Sequence, residues 1–285
     1  MMNDILYTTD EIKETYDQVH DQLYIRYIIK NYSTNKTDIR DCALHGLDLS
    51  NVKKVLDIGC GYGFFIEKLK GLLKDDAIII GVDVVENNRE PFLHSAGSIN
   101  YKGEFIASRA DIIKRMPQSS FDFIISSYSL YFFPHLIPEI SRVLAPGGIF
   151  LALTHSQNSL KELLSLVTDC MNKIGIADII EPTLNKLFMA FSIEAGSILL
   201  KEYFQKIEKI EYKNAMLFPA QDIGDCFAYM INKKKLLYKD ILGIMPERID
   251  ELMKCMETSI FDYSRMHGMM IITKDDGIFR CFKAL

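Results

Sequence analysis

Four residues within one heptapeptide have the types and spacing of a ligand-binding loop. Asp57, Gly59, Gly61 and Gly63 fall in DIGCGYG, and a second acid, Asp83, follows 26 residues after Asp57. Glycines permit a tight turn and let a ligand approach the backbone, and amides at the start of a helix can hold a polar or anionic group. The pattern therefore predicts a small-molecule site on a strand–loop–helix unit.

The glycine spacing narrows the class of ligand. A dinucleotide-binding fingerprint has the pattern GxGxxG, whereas this loop has GxGxG, which disfavours an NAD-dependent oxidoreductase. A carboxylate at the end of the next strand can accept hydrogen bonds from two ribose hydroxyls. Asp83 is therefore predicted to bind ribose, although by itself it also fits an acid that begins a loop.

Strands that alternate with helices are predicted to position these acids and glycines. Helical periodicity follows the glycine loop through Phe64–Leu72 and returns over residues 135–144. Alternation of this kind predicts a doubly wound, Rossmann-like α/β domain with a mostly parallel sheet. The predicted strands are short apolar or β-branched runs at residues 54–58, 77–84, 104–107, 121–126 and 148–154.

Helices are predicted on both sides of this unit. Residues 1–50 are expected to form an N-terminal helical lid, and Thr8 with Glu11 fits a capping box. Residues 51–285 are expected to form one domain, because no Pro/Gly/Ser-rich linker interrupts them. Helical insertions are predicted at about 156–205 and 221–266.

Two features of the C-terminal part predict further strands. Residues 207–218 are expected to form one strand that returns to the sheet. The Asp-Gly pair at 276–277, between the apolar runs 269–273 and 278–282, is typical of a hairpin turn.

Composition excludes several classes of protein. Apolar residues make up 48% and charged residues 25% of 285, without an apolar run of membrane-spanning length. The formal net charge of −5 is not typical of nucleic-acid binding. The six cysteines have no CxxC or zinc-ligand spacing, so we expect reduced thiols, no metal and a cytoplasmic location.

Five blocks of sequence, in order over residues 53–155, resemble the motifs of small-molecule-type class I S-adenosylmethionine (SAM)-dependent methyltransferases. They are VLDIGCGYG, GVDVV, RADI, FDFIISSYSLYFFP and RVLAPGGIFLALT. The resemblance implies a seven-stranded sheet in which the last strand of the sequence is antiparallel. It also implies SAM as cofactor and S-adenosylhomocysteine (SAH) as product.

By this resemblance, the three glycines line the methionine part of SAM and Asp57 supports their loop, directly or through water. Asp83 would bind the ribose, Val84 would lie against the adenine, and Asp111 would accept from the adenine amino group beside the amide of Ile112. Two serines after the fourth strand would reach the methionine part. The complete predicted set is Asp57, Gly59, Cys60, Gly61, Gly63, Asp83, Val84, Asp111, Ile112, Ser126 and Ser127. Pro91 is expected to interrupt the helix that follows the second predicted strand.

The acceptor side is less defined by sequence. The sulfonium methyl is already activated, so the protein must align an acceptor atom and, where the acceptor is protonated, remove a proton. His155 and His135 are candidate bases, but each also fits a structural role, and no catalytic residue is assigned. Aromatic side chains that fit either a pocket wall or plain packing are Tyr16, Tyr24, Tyr27, Tyr128, Tyr131, Phe132 and Phe133.

The sequence therefore favours a methyltransferase acting on a small-molecule acceptor, with neither nucleic acid nor membrane as partner. A methyltransferase acting on protein or RNA is the alternative within the same class. A non-catalytic SAM-binding protein is the alternative outside it, because cofactor motifs report binding and not turnover.

Overall fold

The computed structural model describes residues 6–176 and 183–285, and its centre is a seven-stranded sheet. The strands are β1 (Lys54–Ile58), β2 (Ile78–Asp83), β3 (Lys102–Ala107), β4 (Phe121–Ser127), β5 (Leu144–His155), β6 (Lys206–Tyr212), β7 (Ala215–Pro219), β8 (Met269–Thr273) and β9 (Asp276–Phe282). The sheet has the order β3-β2-β1-β4-β5-β9-β6, and β9 runs antiparallel to both of its neighbours. The predicted fold class is confirmed.

The order of the strands reverses between β1 and β4, and this position fixes where a ligand can bind. Both strands are buried almost throughout, and Asp57 near the end of β1 pairs in register with Gly81 of β2 and Ile125 of β4. In open α/β sheets the crevice for ligands lies outside the carboxyl ends of the strands at such a switch point. The glycine loop and Asp83 therefore meet at this edge.

Helices cover both faces of the sheet. They are α1 (Thr9–Tyr16), α2 (Val19–Tyr32), α3 (Ile39–Leu44), α4 (Arg89–Ser98), α5 (Ile137–Val143), α6 (Lys161–Lys173), α7 (Thr183–Ala190), α8 (Gly196–Leu200), α9 (Ile223–Asn232), α10 (Lys234–Leu237), α11 (Lys239–Ile244) and α12 (Ile249–His267). The capping box predicted at Thr8 and Glu11 is present at the start of α1. Among the described residues, no helix is long and apolar enough to cross a membrane.

The helix predicted directly after the glycine loop is wrong. Only a single 3₁₀ turn, Ile66–Leu69, forms there. Gly63 and Gly71, on either side of this turn, both have left-handed backbones, which an α-helix cannot continue through. The 3₁₀ geometry brings Ile66 and Leu69 to the same side, and both are fully buried.

Pro91 does not interrupt the helix after β2, contrary to expectation. It lies in the first turn of α4, which begins at Arg89. The first amides of a helix have no partner inside the helix, so a proline without an N–H is tolerated there.

The predicted strand at 207–218 is in fact two strands in two sheets. β6 ends at Tyr212 in the central sheet, and β7 pairs antiparallel with β8 in a separate two-stranded sheet. The chain leaves the central sheet at Asn214, whose N–H donates to Asp275 (2.9 Å) and whose carbonyl accepts from the N–H of Lys274 (3.0 Å). These bonds hold the crossing from β6 to β7 beside the crossing from β8 to β9.

The hairpin predicted at Asp276-Gly277 is also wrong. Both residues lie inside β9, where Asp276 is opposite His155 on one side and Tyr212 on the other. A Cβ atom on Gly277 would lie 2.0 Å from the side chain of Ile193. This glycine is therefore required by close packing against the segment before α8, not by a turn.

The helical insertions form a cap over one end of the sheet. The segment predicted at 156–205 holds α6, α7 and α8, and its residues 177–182 lie outside the described part of the chain. The segment 221–266 holds α9 to α12. The N-terminal helix α2 packs against α9 of the cap and against β7. Within the cap, α12 packs against α6, and it also packs against β8. The lid and the domain boundaries remain predictions.

Candidate functional site

A cavity of about 1800 Å³ lies at the carboxyl ends of the parallel strands, beneath α1, α2 and α9. One half, which we call the acidic half, is lined by the glycine loop and by the acids near the ends of β1 and β2. The other half is lined by residues from β5, β9 and the cap. Eight of the eleven predicted cofactor contacts line the cavity: Asp57, Gly59, Cys60, Gly61, Asp83, Val84, Asp111 and Ser127.

Glycine is required at the three loop positions for different structural reasons. A Cβ atom on Gly59 would lie 2.4 Å from the Cβ of Ser129, and one on Gly63 would lie 2.9 Å from the Cβ of Ser95. These two glycines make room for protein atoms, and Gly63 does not line the cavity. A Cβ atom on Gly61 would meet nothing within 4 Å, and its φ is +50°. At Gly61, therefore, the absence of a side chain leaves space in the cavity for a ligand.

The rest of the loop is held by β2. The N–H groups of Gly59 and Cys60 both donate to the carbonyl of Val82, at 2.8 and 3.2 Å. Burial, with the nearby charge of Asp83, raises the pKa of the Cys60 thiol well above its ordinary value, so the thiol remains protonated. Cys60 therefore contributes its backbone to the cavity and not a reactive sulfur.

Asp83 supports the glycine loop in addition to lining the cavity. One carboxylate oxygen accepts from the N–H of Gly61 at 2.9 Å, and the other accepts from the N–H of Val85 at 2.9 Å and from Asn88 Nδ2 at 3.3 Å. Burial raises the pKa of Asp83, and these hydrogen bonds oppose that shift. The carboxylate thus connects the loop to the end of β2.

Asp57 is buried without a partner. It is 1% exposed, it lines the cavity, and neither of its carboxylate oxygens has a hydrogen bond from any described residue. Direct support of the loop, predicted for Asp57, is therefore not made; Asp83 makes it. Burial, followed by the negative charge of Asp83, raises the pKa of Asp57 to about 8. An orphaned buried carboxyl at a cavity wall fits a cationic hydrogen-bond donor from a ligand.

Asp57→Asn is expected to raise the melting temperature of the ligand-free protein by several degrees at pH 8. The pKa of the carboxyl is about 8 when folded, against 3.8 ordinarily, so between these pH values the unfolded chain loses the proton more readily. Ionisation then favours unfolding, and an amide removes this effect. The difference from wild type, followed by thermal melts, should be small near pH 4 and grow up to pH 8. The exposed Asp76→Asn is the control, and a difference independent of pH would contradict the assignment.

Asp111 lies at the far end of the acidic half. Its carboxylate accepts from Lys114 Nζ at 2.7 Å and lies 3.6 Å from His135 Nε2. The hydrogen bond from Lys114 is the main reason that the pKa of Asp111 is lowered. The amide of Ile112 donates to the carbonyl of Arg109 at 3.1 Å, so it is used within its own 3₁₀ turn, and Ile112 does not line the cavity.

The two predicted serines have different surroundings. Ser127 lines the cavity, but Ser126 is fully buried and its hydroxyl bonds to that of Ser129 at 2.7 Å. Ser129 Oγ also donates to the carbonyl of Ile58 at 2.6 Å. Ser129 was missed by the sequence analysis, although it joins β1 to β4 and faces Gly59. Ser129 is the third serine of the segment SSYS, at the end of the strand predicted at 121–126. This run of serines is the sequence signal that could have identified it.

The other half of the cavity contains a buried polar cluster around Asp276. This carboxylate lies 2.7 Å from His155 Nδ1, accepts from Lys274 Nζ at 2.9 Å on both oxygens, and accepts from the hydroxyl of Tyr128 at 2.9 Å. Burial, followed by the positive charge of Lys274, lowers the pKa of His155 to about 4 despite Asp276. His155 is therefore uncharged at neutral pH.

Aromatic rings surround His155. The centroids of Tyr128, Phe188 and Tyr131 lie 4.8, 4.9 and 5.8 Å from that of the imidazole. Lys274 and Asp276 were missed as site residues because no local pattern links them to His155. Only the antiparallel register of β5 with β9 brings His155 opposite Asp276.

The remaining candidates from the sequence lie in different parts of the structure. His135 lies beside Asp111 in the acidic half, and His155 lies in the polar cluster. Tyr16 lines the cavity from α1, and its carbonyl accepts from the hydroxyl of Tyr62 at 2.6 Å. Tyr24 instead donates to Asp225 on α9 at 3.0 Å, and it does not line the cavity.

The sheet order, the single antiparallel strand and a glycine loop after β1 together define a class I SAM-dependent methyltransferase fold. Residues 56–152 match a family model described as a methyltransferase domain. Within residues 6–176 and 183–285, no group of three or more His, Cys, Asp or Glu side chains is arranged to hold a metal ion.

A curated relative matches part of the same region. The chain is 29% identical over 122 residues to malonyl-[acyl-carrier protein] O-methyltransferase 2 of Ilyobacter polytropus. The match covers 41% of this chain and 44% of the relative, so the chain spans less than half of the relative that it matches.

Solved structures resemble the whole described fold. The cyclopropane synthase MmaA2 of Mycobacterium tuberculosis has a TM-score of 0.53 at 14% identity, covering 99% of this chain and 100% of that one. Phosphoethanolamine N-methyltransferase 2 of Haemonchus contortus, in complex with phosphomonomethylethanolamine and SAH, has a TM-score of 0.51 at 14% identity, covering 98% and 61%. At this identity the likeness concerns the fold alone.

Proposed function

We propose that this protein is a SAM-dependent methyltransferase that acts on a small-molecule acceptor. The observation that carries the proposal is the acidic half of the cavity, where the orphaned carboxyl of Asp57, the free space at Gly61 and the carboxylate of Asp83 occur together. These groups match a ligand that offers an ammonium group and a ribose. The order of the residues along the chain agrees with the methyltransferase-domain match.

In this proposal each residue has a separate task. Asp57 accepts from the amino group of the methionine part, and Asp83 accepts from the ribose hydroxyls while it holds Gly61 in place. Val84 packs against the adenine, and Asp111 accepts from its amino group. When bound, SAM supplies an activated methyl group: a lone pair of the acceptor forms a bond to the methyl carbon, and the carbon–sulfur pair returns to sulfur.

The enclosure of the cavity favours a small acceptor. From α1 and the residues before it, Tyr7 donates to the carbonyl of Leu236 at 2.9 Å and Glu11 pairs with Lys239 at 2.9 Å. On the other side of α1, Thr9 accepts from Arg109 at 3.1 Å. These contacts join the N-terminal segment to both the cap and the sheet. A cover of this kind favours a small acceptor over a polymer, because it restricts access to the cavity.

Calorimetry with SAM, SAH and NAD tests the cofactor, and a product screen tests turnover. We expect SAM and SAH to bind and NAD not to bind. Incubation with SAM and pooled small acids, amines and alcohols should then yield a product heavier by one methylene, together with SAH, detected by mass spectrometry. Binding of NAD in place of SAH would contradict the proposal. SAH binding with methylation only of added protein or RNA would contradict the small-molecule acceptor.

A further inference from the structure

The half of the cavity beyond His155 contains two lysines, and only one of them has a counterion. Lys274 pairs with Asp276, and both side chains are almost completely buried. Lys233 caps the C-terminal end of α9 and lines the cavity, yet its Nζ makes no ion pair or hydrogen bond with any residue of the described ranges. Lys233 Nζ lies 5.6 Å from the centroid of the Tyr16 ring.

The charged and titratable groups that interact with Lys233 are Lys274 and His155, in the half of the cavity lined by β5, β9 and the cap, which we call the acceptor half. Burial, followed by the positive charge of Lys274, lowers the pKa of Lys233 to about 8, and no carboxylate opposes that shift. Lys233 in turn helps to lower the pKa of His155. Among the described residues, Asp276 is the acid that contacts this group, and it already has His155, Lys274 and Tyr128 as partners. This half of the cavity therefore has an excess of one positive charge at neutral pH.

Lys233 is half-buried, and an unpaired cation that is partly withdrawn from water is costly, so such groups are normally paired. Since no acid of the described chain supplies the partner, the missing charge fits a ligand anion. A planar carboxylate or a phosphate can accept from an ammonium group in a charge-assisted hydrogen bond.

The state of His155 agrees with this reading. With a pKa of about 4, the imidazole is a weak base for removing a proton from a hydroxyl or an ammonium group. An acceptor that is already an anion can be bound without a base that removes its proton.

We propose that the acceptor carries an oxyanion, either a carboxylate or a phosphate, and that Lys233 is the side chain that binds it. This inference rests on the proposed methyl transfer, because it concerns the acceptor half of the same cavity. Lys274 contributes less, since Asp276 already neutralises it.

Binding of two anions and a neutral analogue to the SAH-loaded protein tests the proposal. Butyrate and inorganic phosphate are the anions, and butyramide is the neutral match of butyrate. Calorimetric titrations compare wild type with Lys233→Met, Lys233→Arg and the control Lys201→Met. Lys201 also caps a short helix, α8, but is exposed and outside the cavity.

We expect wild type to bind one of the anions at millimolar concentration and to bind butyramide about tenfold more weakly. Lys233→Met should lose about tenfold in affinity for the anion, Lys233→Arg should retain most of it, and Lys201→Met should match wild type. The better anion identifies the source, carboxylate or phosphate. SAH affinity should be the same in all four proteins.

Three results of the titrations with the anions and butyramide would overturn the proposal. They are equal binding of butyrate and butyramide, no binding of either anion, or unchanged anion binding in a folded Lys233→Met. A fall in SAH affinity in Lys233→Met would place this lysine on the carboxylate of the cofactor and would also overturn it. Failure of wild type to bind SAH is a separate outcome, since it contradicts the proposed function itself.

Discussion

Asp83→Ala is expected to lower the affinity for SAM and SAH by tens- to hundreds-fold while the protein remains folded. The carboxylate is proposed to hold two ribose hydroxyls, and it also accepts from the N–H of Gly61. Its loss leaves polar groups of ligand and loop without partners in a largely water-excluded site. Such losses cost about 2–3 kcal/mol, which corresponds to the expected change in affinity. Titration calorimetry measures it, and circular dichroism checks the fold.

Two variants make this result specific. Asp76→Ala removes an exposed acid just before β2, outside the cavity, and should bind like wild type. Asp83→Asn can still accept from Gly61 but lacks the charge, and its affinity should fall between those of wild type and Asp83→Ala. A folded Asp83→Ala that binds SAM as tightly as wild type would show that the ribose does not contact this carboxylate.

The central strands β1 and β4 could be predicted from sequence because they are buried almost throughout. Such strands are continuous apolar runs, and a run such as Lys54–Ile58 has its ends marked by charged residues and glycines. The position of the ligand edge followed from the same pattern, since Asp57 and Asp83 each end a parallel strand. Local composition was sufficient there.

The C-terminal part could not be predicted in this way because distant contacts decide it. Gly277 has the local sequence pattern of a turn. Glycine is required there for another reason, because Ile193, more than eighty residues earlier in the chain, packs where a side chain would lie. The polar cluster has the same origin. His155 and Asp276 are neighbours only because β9 inserts between β5 and β6, and this strand order leaves no mark in either segment.

The glycines of the loop show most directly what could not be predicted from the sequence. The sequence assigned Gly59, Gly61 and Gly63 one shared role, whereas packing separates them. Gly59 makes room for Ser129 and Gly63 for Ser95, so substitutions there disturb the protein before they disturb a ligand. Only at Gly61 is the space that a side chain would take free of protein atoms.

Gly61→Val is therefore expected to abolish measurable SAM binding, with a loss of at least about a hundredfold, while most of the fold remains. The isopropyl group would project into the empty space beside Asp83, where the cofactor is proposed to lie. The backbone φ of +50° also strains a β-branched residue, at a cost of about 1–2 kcal/mol. Calorimetry with SAH, together with thermal melts, separates the loss of binding from the loss of stability.

Gly71→Val provides the matched control for that strain. Gly71 has a φ of +71°, a Cβ atom there would meet nothing within 4 Å, and the residue lies outside the cavity. Both variants should lose similar stability, because both force valine into a left-handed backbone. Only Gly61→Val should lose SAH binding, since only its side chain enters the cavity. Wild-type affinity in both variants would mean that the cofactor does not lie against the glycine loop, and a loss in both would assign the effect to backbone strain.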